Sequence, residues 1–387
     1  MLNILYLESC NFLNFPIGGT LTFAKQFVHS VDAKFYLVGF GDDNEPVGKW
    51  FNKQFNDRTI SYFSIGPTSQ VIHSKLPKRL ISYLMLRKYI KYIHLNAYFY
   101  DVVFTQTPQF VFLLSGLKWK KTVFCFAGLT NSVENSRFKR LRFLGGMYEK
   151  KLFNDLKKNF DYILAAADRE SILQKEEKFR LRENSIVFFP TRFNSSIFYP
   201  YENTNIRYSL QIKENVKLIV SVGRLSYVKG WKDLIESYRF FLMKEPNSKL
   251  IFIGDGEDEE DIRIYAKDEI ENETIQLIGR RSPNEISQYL NAADIFVMFS
   301  LFEGWPTAMT EALACGKNIV TSNVSGAKYM VEHNVNGFVL KDRNVKVFSE
   351  LMNKALRLPN PNKVSIEKSK LYSSDRLNFD FYNIINN

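Results

Sequence analysis

Ser300-Leu301-Phe302-Glu303-Gly304-Trp305-Pro306-Thr307-Ala308-Met309-Thr310-Glu311-Ala312-Leu313-Ala314-Cys315-Gly316 follows a short run of strand-forming residues, Ile295–Met298. Pro306 or Thr307 opens a helix, because proline fits the first helical turn, and Gly316 closes it. The two carboxylates then sit in different places. Glu303 precedes a glycine turn at Gly304, beyond the helix N-terminus, and Glu311 lies about one turn inside. The first can face a sugar, the second can accept hydrogen bonds from vicinal ribose hydroxyls, and amides at Trp305–Thr307 would meet phosphates between them. A plain surface helix with one glutamate in its first turn does not account for Gly304, Pro306 and Gly316 together.

Working outward, the second half of the chain alternates strands and helices. Strands are expected at Leu218–Val222, Lys249–Ile253, Thr274–Ile278, Ile295–Met298 and Asn318–Thr321, with helical patterns between them. Such alternation builds a doubly wound parallel sheet, whose ligands bind outside the carboxyl ends of the strands. After Leu218–Val222 comes Gly223-Arg224-Leu225-Ser226-Tyr227-Val228-Lys229-Gly230. Its two cations, Arg224 and Lys229, and a glycine leading into a helix suit a diphosphate, although loops with Arg and Lys are common. After Lys249–Ile253, Gly254-Asp255-Gly256 offers small residues that let backbone approach a ligand closely. The acidic run Asp255–Asp261 reads as helix N-capping and not as a metal site.

The first half carries the same alternation, with strands at Asn3–Glu8, Lys34–Val38, Asp101–Thr105, Thr122–Phe126, Asp161–Ala165 and Ser185–Phe189. Between them, Pro77–Tyr100 places Leu80, Tyr83, Leu86, Ile90 and Ile93 at helical spacing among Arg79, Arg87, Lys88 and Lys91. This describes either a sheet-covering helix with a solvated charged side or a helix lying on a membrane surface. Arg137–Lys158 is a second basic stretch interleaved with Phe138, Phe143, Met147, Leu152 and Phe153. The pattern loosens near Pro190–Glu214. The expected division is a first domain at 1–200, a second at 201–360, and a closing segment, 361–387, that returns to the first domain.

Composition bounds the partners. The net charge is +11, and residues 1–200 hold 28 Lys and Arg against 16 Asp and Glu, whereas the remainder holds 24 against 25. The basic excess of the first half would attract nucleic acid, anionic lipid or a phosphorylated substrate alike, but no nucleic-acid recognition motif is present. Cys10, Cys125 and Cys315 lie far apart, and with 4 His in the chain no spacing builds a metal centre. We expect a reducing cytoplasm. The N-terminal apolar run is broken by Glu8, and no run approaches 18 consecutive apolar residues, so any membrane contact is expected to be peripheral, on the inner face of the plasma membrane.

Residues 218–340 resemble the nucleotide-sugar domain of the retaining GT-B glycosyltransferases called family 4. The resemblance is carried by Gly223-Arg224-Leu225 with Lys229-Gly230, Gly254-Asp255-Gly256, Ala293-Asp294, the Glu303 and Glu311 pair, Glu311-Ala312-Leu313-Ala314-Cys315-Gly316, and Ser325-Gly326 followed by Asn336-Gly337. It implies two Rossmann-like domains facing across a cleft, the first binding the acceptor and the second the nucleotide sugar, with Arg224 and Lys229 on the donor diphosphate, Glu303 on the transferred sugar and Glu311 on the ribose. It also implies a metal-independent, retaining hexosyltransferase using a UDP- or GDP-linked sugar, with a glycan or lipid-linked acceptor. Pro16-Ile17-Gly18-Gly19-Thr20 is similar to the family's glycine loop, which would bring Gly18 and Gly19 near the donor phosphates. The family's usual His after the strand Thr122–Phe126 is missing, since the sequence there is Phe126-Ala127-Gly128. Two other readings therefore stand beside the transferase: a non-catalytic nucleotide-sugar-binding module, and a soluble sugar-phosphate or polysaccharide synthase.

Overall fold

The computed structural model describes residues 1–387 except 17, 56–57, 130–144, 202–204 and 387. The chain forms two compact units, Met1–Thr191 with Leu377–Asn387, and Arg192–Arg376. Each is a doubly wound α/β sheet covered by helices on both faces.

The first sheet comprises β1 (Leu2–Leu7), β2 (Ala33–Gly41), β3 (Trp50–Phe55), β4 (Arg58–Pro67), β5 (Val102–Thr105), β6 (Thr122–Phe126), β7 (Tyr162–Ala165) and β8 (Ile186–Phe188). Their order is 3-4-2-1-5-6-7-8. The central strands are buried on both sides, which is why LNILYL and TVFCF read as continuous apolar runs and not as alternation. Strand β3 departs from the all-parallel expectation, because it pairs antiparallel with β4 at the sheet edge. Its Asn52, Lys53 and Gln54 hide it from an apolar-run reading, yet they are what an edge strand tolerates. The order reverses between β1 and β5, so the crevice of this unit lies at their carboxyl ends.

The second sheet holds β9 (Lys217–Val222), β10 (Ser248–Ile253), β11 (Ile275–Leu277), β12 (Ile295–Met298), β13 (Asn318–Ser322) and β14 (Gly337–Leu340), in the order 11-10-9-12-13-14. All its pairings are parallel. The short β14, absent from the expected strands, begins at a glycine with φ 153° whose Cβ, if present, would lie 2.0 Å from the Ile319 carbonyl oxygen.

The units divide at Thr191 and Arg376, not at the 200 and 360 of the sequence pattern. Side-chain and backbone bonds explain the shift. The buried Arg192 donates from Nη1 to the Leu371 carbonyl at 2.6 Å, and Phe193 bridges to Ser373. Residues 361–376 therefore stay with the second unit, where Asn362 caps the helix Lys363–Ser369. Only the helix Leu377–Asn386 joins the first. Its Leu377, Phe381 and Ile385, spaced by four, enter the core, and the Phe381 ring meets Phe27 edge-on at 4.9 Å. Of the second basic stretch, residues 137–144 lie outside the described residues, and 145–159 are a helix whose Lys151 pairs with Asp155. Phe381→Ala is expected to destabilise the first unit by roughly 3–5 kcal/mol through loss of burial and a cavity. Urea denaturation followed by hydrogen exchange should place that loss in the first unit and leave the second unshifted.

Candidate functional site

Three loops meet at the carboxyl edge of the second sheet. The loop after β9 passes through Gly223 and Arg224 into a single 3-10 turn, Tyr227–Lys229, and then into the helix Trp231–Leu242. Gly230 joins them in the left-handed region, φ 64°, and a Cβ there would lie 2.0 Å from the Phe299 carbonyl oxygen. That approach brings the loop after β12 alongside. Leu301 N–H donates to the Val228 carbonyl at 2.8 Å. Lys229 Nζ donates to Glu303 Oε1 at 2.6 Å, and Ser300 Oγ donates to the same oxygen at 2.6 Å. The Glu303 side chain is only 10% exposed and that of Lys229 31%, so this pair is shielded far better than a surface ion pair.

Arg224 is held loosely. Its Nε donates to Glu257 Oε2 at 2.8 Å, with both side chains largely in solvent. Such a pair is worth less than about 1 kcal/mol, so an incoming dianion can displace it. Gly223, Arg224, Lys229, Met298 and Ser300 line one depression. The two cations therefore line the same depression.

Several sequence-based assignments change. Gly254 and Gly256 approach a neighbouring loop: a Cβ on either would lie 2.0 Å from the carbonyl oxygen of Gly223 or Leu225. Leu225 N–H donates to Asp255 O at 2.9 Å, closing the same contact. The acidic run does not cap its helix by side chain, since Asp258 at the N-cap instead accepts from the Trp231 indole at 2.8 Å. Of Trp305, Pro306 and Thr307, proline has no N–H and so supplies no amide to a phosphate. The Trp305 ring is buried, edge-on to Tyr372 at 5.4 Å, and a Cβ on Gly326 would press on it at 2.8 Å. Gly326, φ 81°, is thus required by the ring as well as by its turn.

Glu311 is the fifth residue of the helix Thr307–Ala314, which has no acid in its first turn and no side-chain cap. Its carboxyl is half-buried and forms no ion pair or side-chain hydrogen bond among the described residues, and burial pushes its pKa up to about 8. A polar group so placed, reachable but unsatisfied, suits a pair of ligand hydroxyls. Gly18, φ 150°, opens the helix Gly19–Ser30 in the first unit, with empty space where Cβ atoms of Gly18 and Gly19 would be. Ile17 between Pro16 and Gly18 lies outside the described residues.

Two residues escaped the sequence reading. Ser300 stood in the quoted segment without a role, although a hydroxyl three residues before a carboxylate was the available signal. Arg343, beyond β14, donates from Nη1 to the carbonyls of Phe299 and Ser300, each at 3.2 Å, and pairs with Asp233. No local pattern marks it. Among the described residues no group of three His, Cys, Asp or Glu could hold a metal ion, and no helix is long and apolar enough to cross a membrane.

Two Rossmann-like units and a paired cation and carboxylate at a sheet edge define the class: a nucleotide-type α/β protein of GT-B architecture. The chain is related to the glycosyl transferases group 1, whose family model matches residues 202–371. It is 30% identical over 216 residues to an uncharacterised glycosyltransferase of Haemophilus influenzae, covering 56% of this chain and 57% of that protein. It is 31% identical over 142 residues to the Escherichia coli UDP-Gal:alpha-D-GlcNAc-diphosphoundecaprenol alpha-1,3-galactosyltransferase, 36% of each chain. The chain thus spans between about a third and little more than half of these relatives. The fold of the sucrose-phosphate synthase from Thermosynechococcus elongatus matches at a TM-score of 0.78, with 16% identity, over 99% of this chain and 98% of that one.

The raised Glu311 pKa has a consequence for stability. The folded chain keeps this proton to about pH 8, while the unfolded chain releases it near the ordinary 4.5. Its contribution is therefore full below about 4.5 and is lost as pH rises towards 8. Glu311→Gln, which cannot ionise, is expected to stabilise the ligand-free protein at pH 8.5 by roughly 1–3 kcal/mol, discounted for partial solvent access, and to change little at pH 4. Chemical denaturation at the two pH values checks this; equal effects at both would remove burial as the cause.

Proposed function

We propose that the protein is a metal-independent, retaining glycosyltransferase. It moves a hexose from a UDP- or GDP-linked donor to a glycan or lipid-linked acceptor in cell-surface polysaccharide or glycolipid synthesis. The observation that carries this reading is the shielded Lys229–Glu303 pair beside Arg224, with the unpartnered Glu311 in the following helix. Lys229 and Arg224 take the diphosphate, helped by the amides of Trp305 and Thr307, where charge grows as the glycosidic bond to phosphate breaks. Once Lys229 turns to the phosphate, Glu303 is left to accept hydroxyls of the transferred sugar, still held by Ser300. Glu311 binds the ribose diol. Gly304, Gly254 and Pro306 shape the loops that carry these groups. The leaving diphosphate itself removes the acceptor proton, so the work of the protein is orientation and charge stabilisation, and the absent His is not required.

A lipid-linked acceptor draws support from the first unit. Residues 58–100 contain no Asp or Glu but seven Lys and Arg. On the helix Lys78–His94 and its flanks, Leu76, Leu80, Leu84, Tyr92 and Leu95 are exposed beside Arg87, Lys88 and Lys91. An apolar face ringed by cations suits the interface of an anionic membrane, and peripheral attachment to the inner leaflet follows. The E. coli relative, by its name, acts on a diphosphoundecaprenol-linked sugar.

Thermal shift and slow hydrolysis of UDP-, GDP-, ADP- and CMP-sugars, in EDTA, test the transferase. One nucleotide family should both stabilise the protein and be hydrolysed; stabilisation without turnover, even with membrane extract added, selects the binding module. Glu311→Ala is expected to weaken nucleotide affinity roughly tenfold or more, because the ribose bonds exist in the ground state. Lys229→Ala should lower kcat more than affinity, by about 100-fold. A change confined to KM would reduce Lys229 to an anchor.

A further inference from the structure

The crevice of the first unit carries polar groups that the donor chemistry leaves unused. At the end of β1, Glu8 is fully buried and stitched to β5: it accepts from Gln106 N–H at 2.9 Å, from its neighbour Ser9 N–H at 2.9 Å, and from the Thr107 hydroxyl. Ser9 Oγ meets Ser82 Oγ at 2.6 Å. That bond ties the N-terminal part of the helix Lys78–His94 to the loop after β1. Lys78 Nζ stands 4.7 Å above the Phe15 ring in the β1 loop, and the positive charge of Arg79 reaches both Glu8 and the Tyr148 hydroxyl.

Neither Lys78 nor Arg79 forms an ion pair with a described residue, and Glu8 already spends its lone pairs on β5 and Ser9. Two further groups lack partners. Tyr148 OH and Gln109 Oε1 are buried atoms without a hydrogen bond among the described residues. Gln109 lies one turn from Phe112 on the helix Pro108–Leu114, and the Phe112 ring meets that of Tyr148 at 5.7 Å. Buried polar atoms left unsatisfied are costly unless a ligand or water completes them.

We propose that this crevice, at the carboxyl ends of β1 and β5, binds a sugar phosphate ester, with Lys78 and Arg79 on the phosphate and Tyr148 and Gln109 on sugar hydroxyls. The site rests on the transferase reading above, for which it supplies the acceptor's chemistry: a phosphorylated sugar, free or as the head of a lipid diphosphate. Two clustered cations that form no ion pair with a described residue favour a phosphate over a neutral glycan, and the flanking hydroxyl and amide favour a polyol over bare phosphate.

Titration of inorganic pyrophosphate into the full chain, by calorimetry or phosphorus NMR, is expected to find two sites. One disappears in R224Q/K229Q, and the other weakens at least tenfold in K78Q/R79Q. Y148F should leave pyrophosphate binding intact and weaken glucose 1-phosphate several-fold. Retention of both sites in K78Q/R79Q, or a single wild-type site that only R224Q/K229Q removes, overturns the proposal. A single site removed by K78Q/R79Q alone would instead sink the donor assignment and leave the crevice standing. Phosphatidylglycerol vesicles separate a membrane headgroup from the sugar phosphate. R87Q/K88Q/K91Q should weaken vesicle binding and spare pyrophosphate, whereas vesicle binding lost in K78Q/R79Q with glucose 1-phosphate unaffected would assign these cations to the membrane face and end the proposal.

Discussion

Backbone packed directly on backbone governs the second unit. At Gly230, Gly254 and Gly256 the place of a Cβ atom is taken by a carbonyl oxygen of another loop, 2.0 Å from where that atom would be. No side chain can be inserted at such a distance without moving main chain, so the loops after β9, β10 and β12 are fixed against each other by the absence of side chains. Lys229 reaches Glu303 because Gly230 lets the first loop touch Phe299. The ion pair is therefore a result of this packing, not its cause.

The carboxylate is held in depth. Ser322 Oγ donates to the Ser300 carbonyl at 2.6 Å, Arg343 reaches the carbonyls of both Phe299 and Ser300, and its guanidinium lies 4.4 Å above the Phe299 ring. These contacts fix the end of β12, and with it the direction of the Ser300 hydroxyl towards Glu303. Arg343 also pairs with Asp233 in the first turn of the helix that follows Lys229. One side chain thus ties together the two loops that carry the opposite charges, by charge-assisted bonds stronger than neutral ones.

Most parallel strands of both sheets could be read from the chain because strands covered on two faces must be apolar throughout, and helices must carry a stripe. What failed to show were β3, polar because it is an edge, β4, whose buried run is broken by Ser61 and Ser64, and β14, too short for a pattern. The residue types of the site were legible, but their division of labour was not. Gly326, Gly316 and Gly337 belong to the matched motifs, yet they clear the Trp305 ring, Pro361 and the Ile319 carbonyl respectively. Asp294, in the Ala293-Asp294 motif, binds Leu218 N–H and Arg207 and touches no part of the site. A motif records both chemistry and fit, and only neighbours in space separate them. Arg343 was silent because its partners lie far away along the chain.

The helix Leu377–Asn386 completes the core of the first unit, while everything from Arg192 to Arg376 folds as the second. On a ribosome this inverts the usual order. The second unit has all its residues available before the aromatic helix that seals the first has been made. Until Phe381 arrives, Phe27 and Phe104 face an open groove beside β1 and β5, so the nascent first unit presents apolar surface throughout synthesis of the second. The unit translated earliest is the one that closes last.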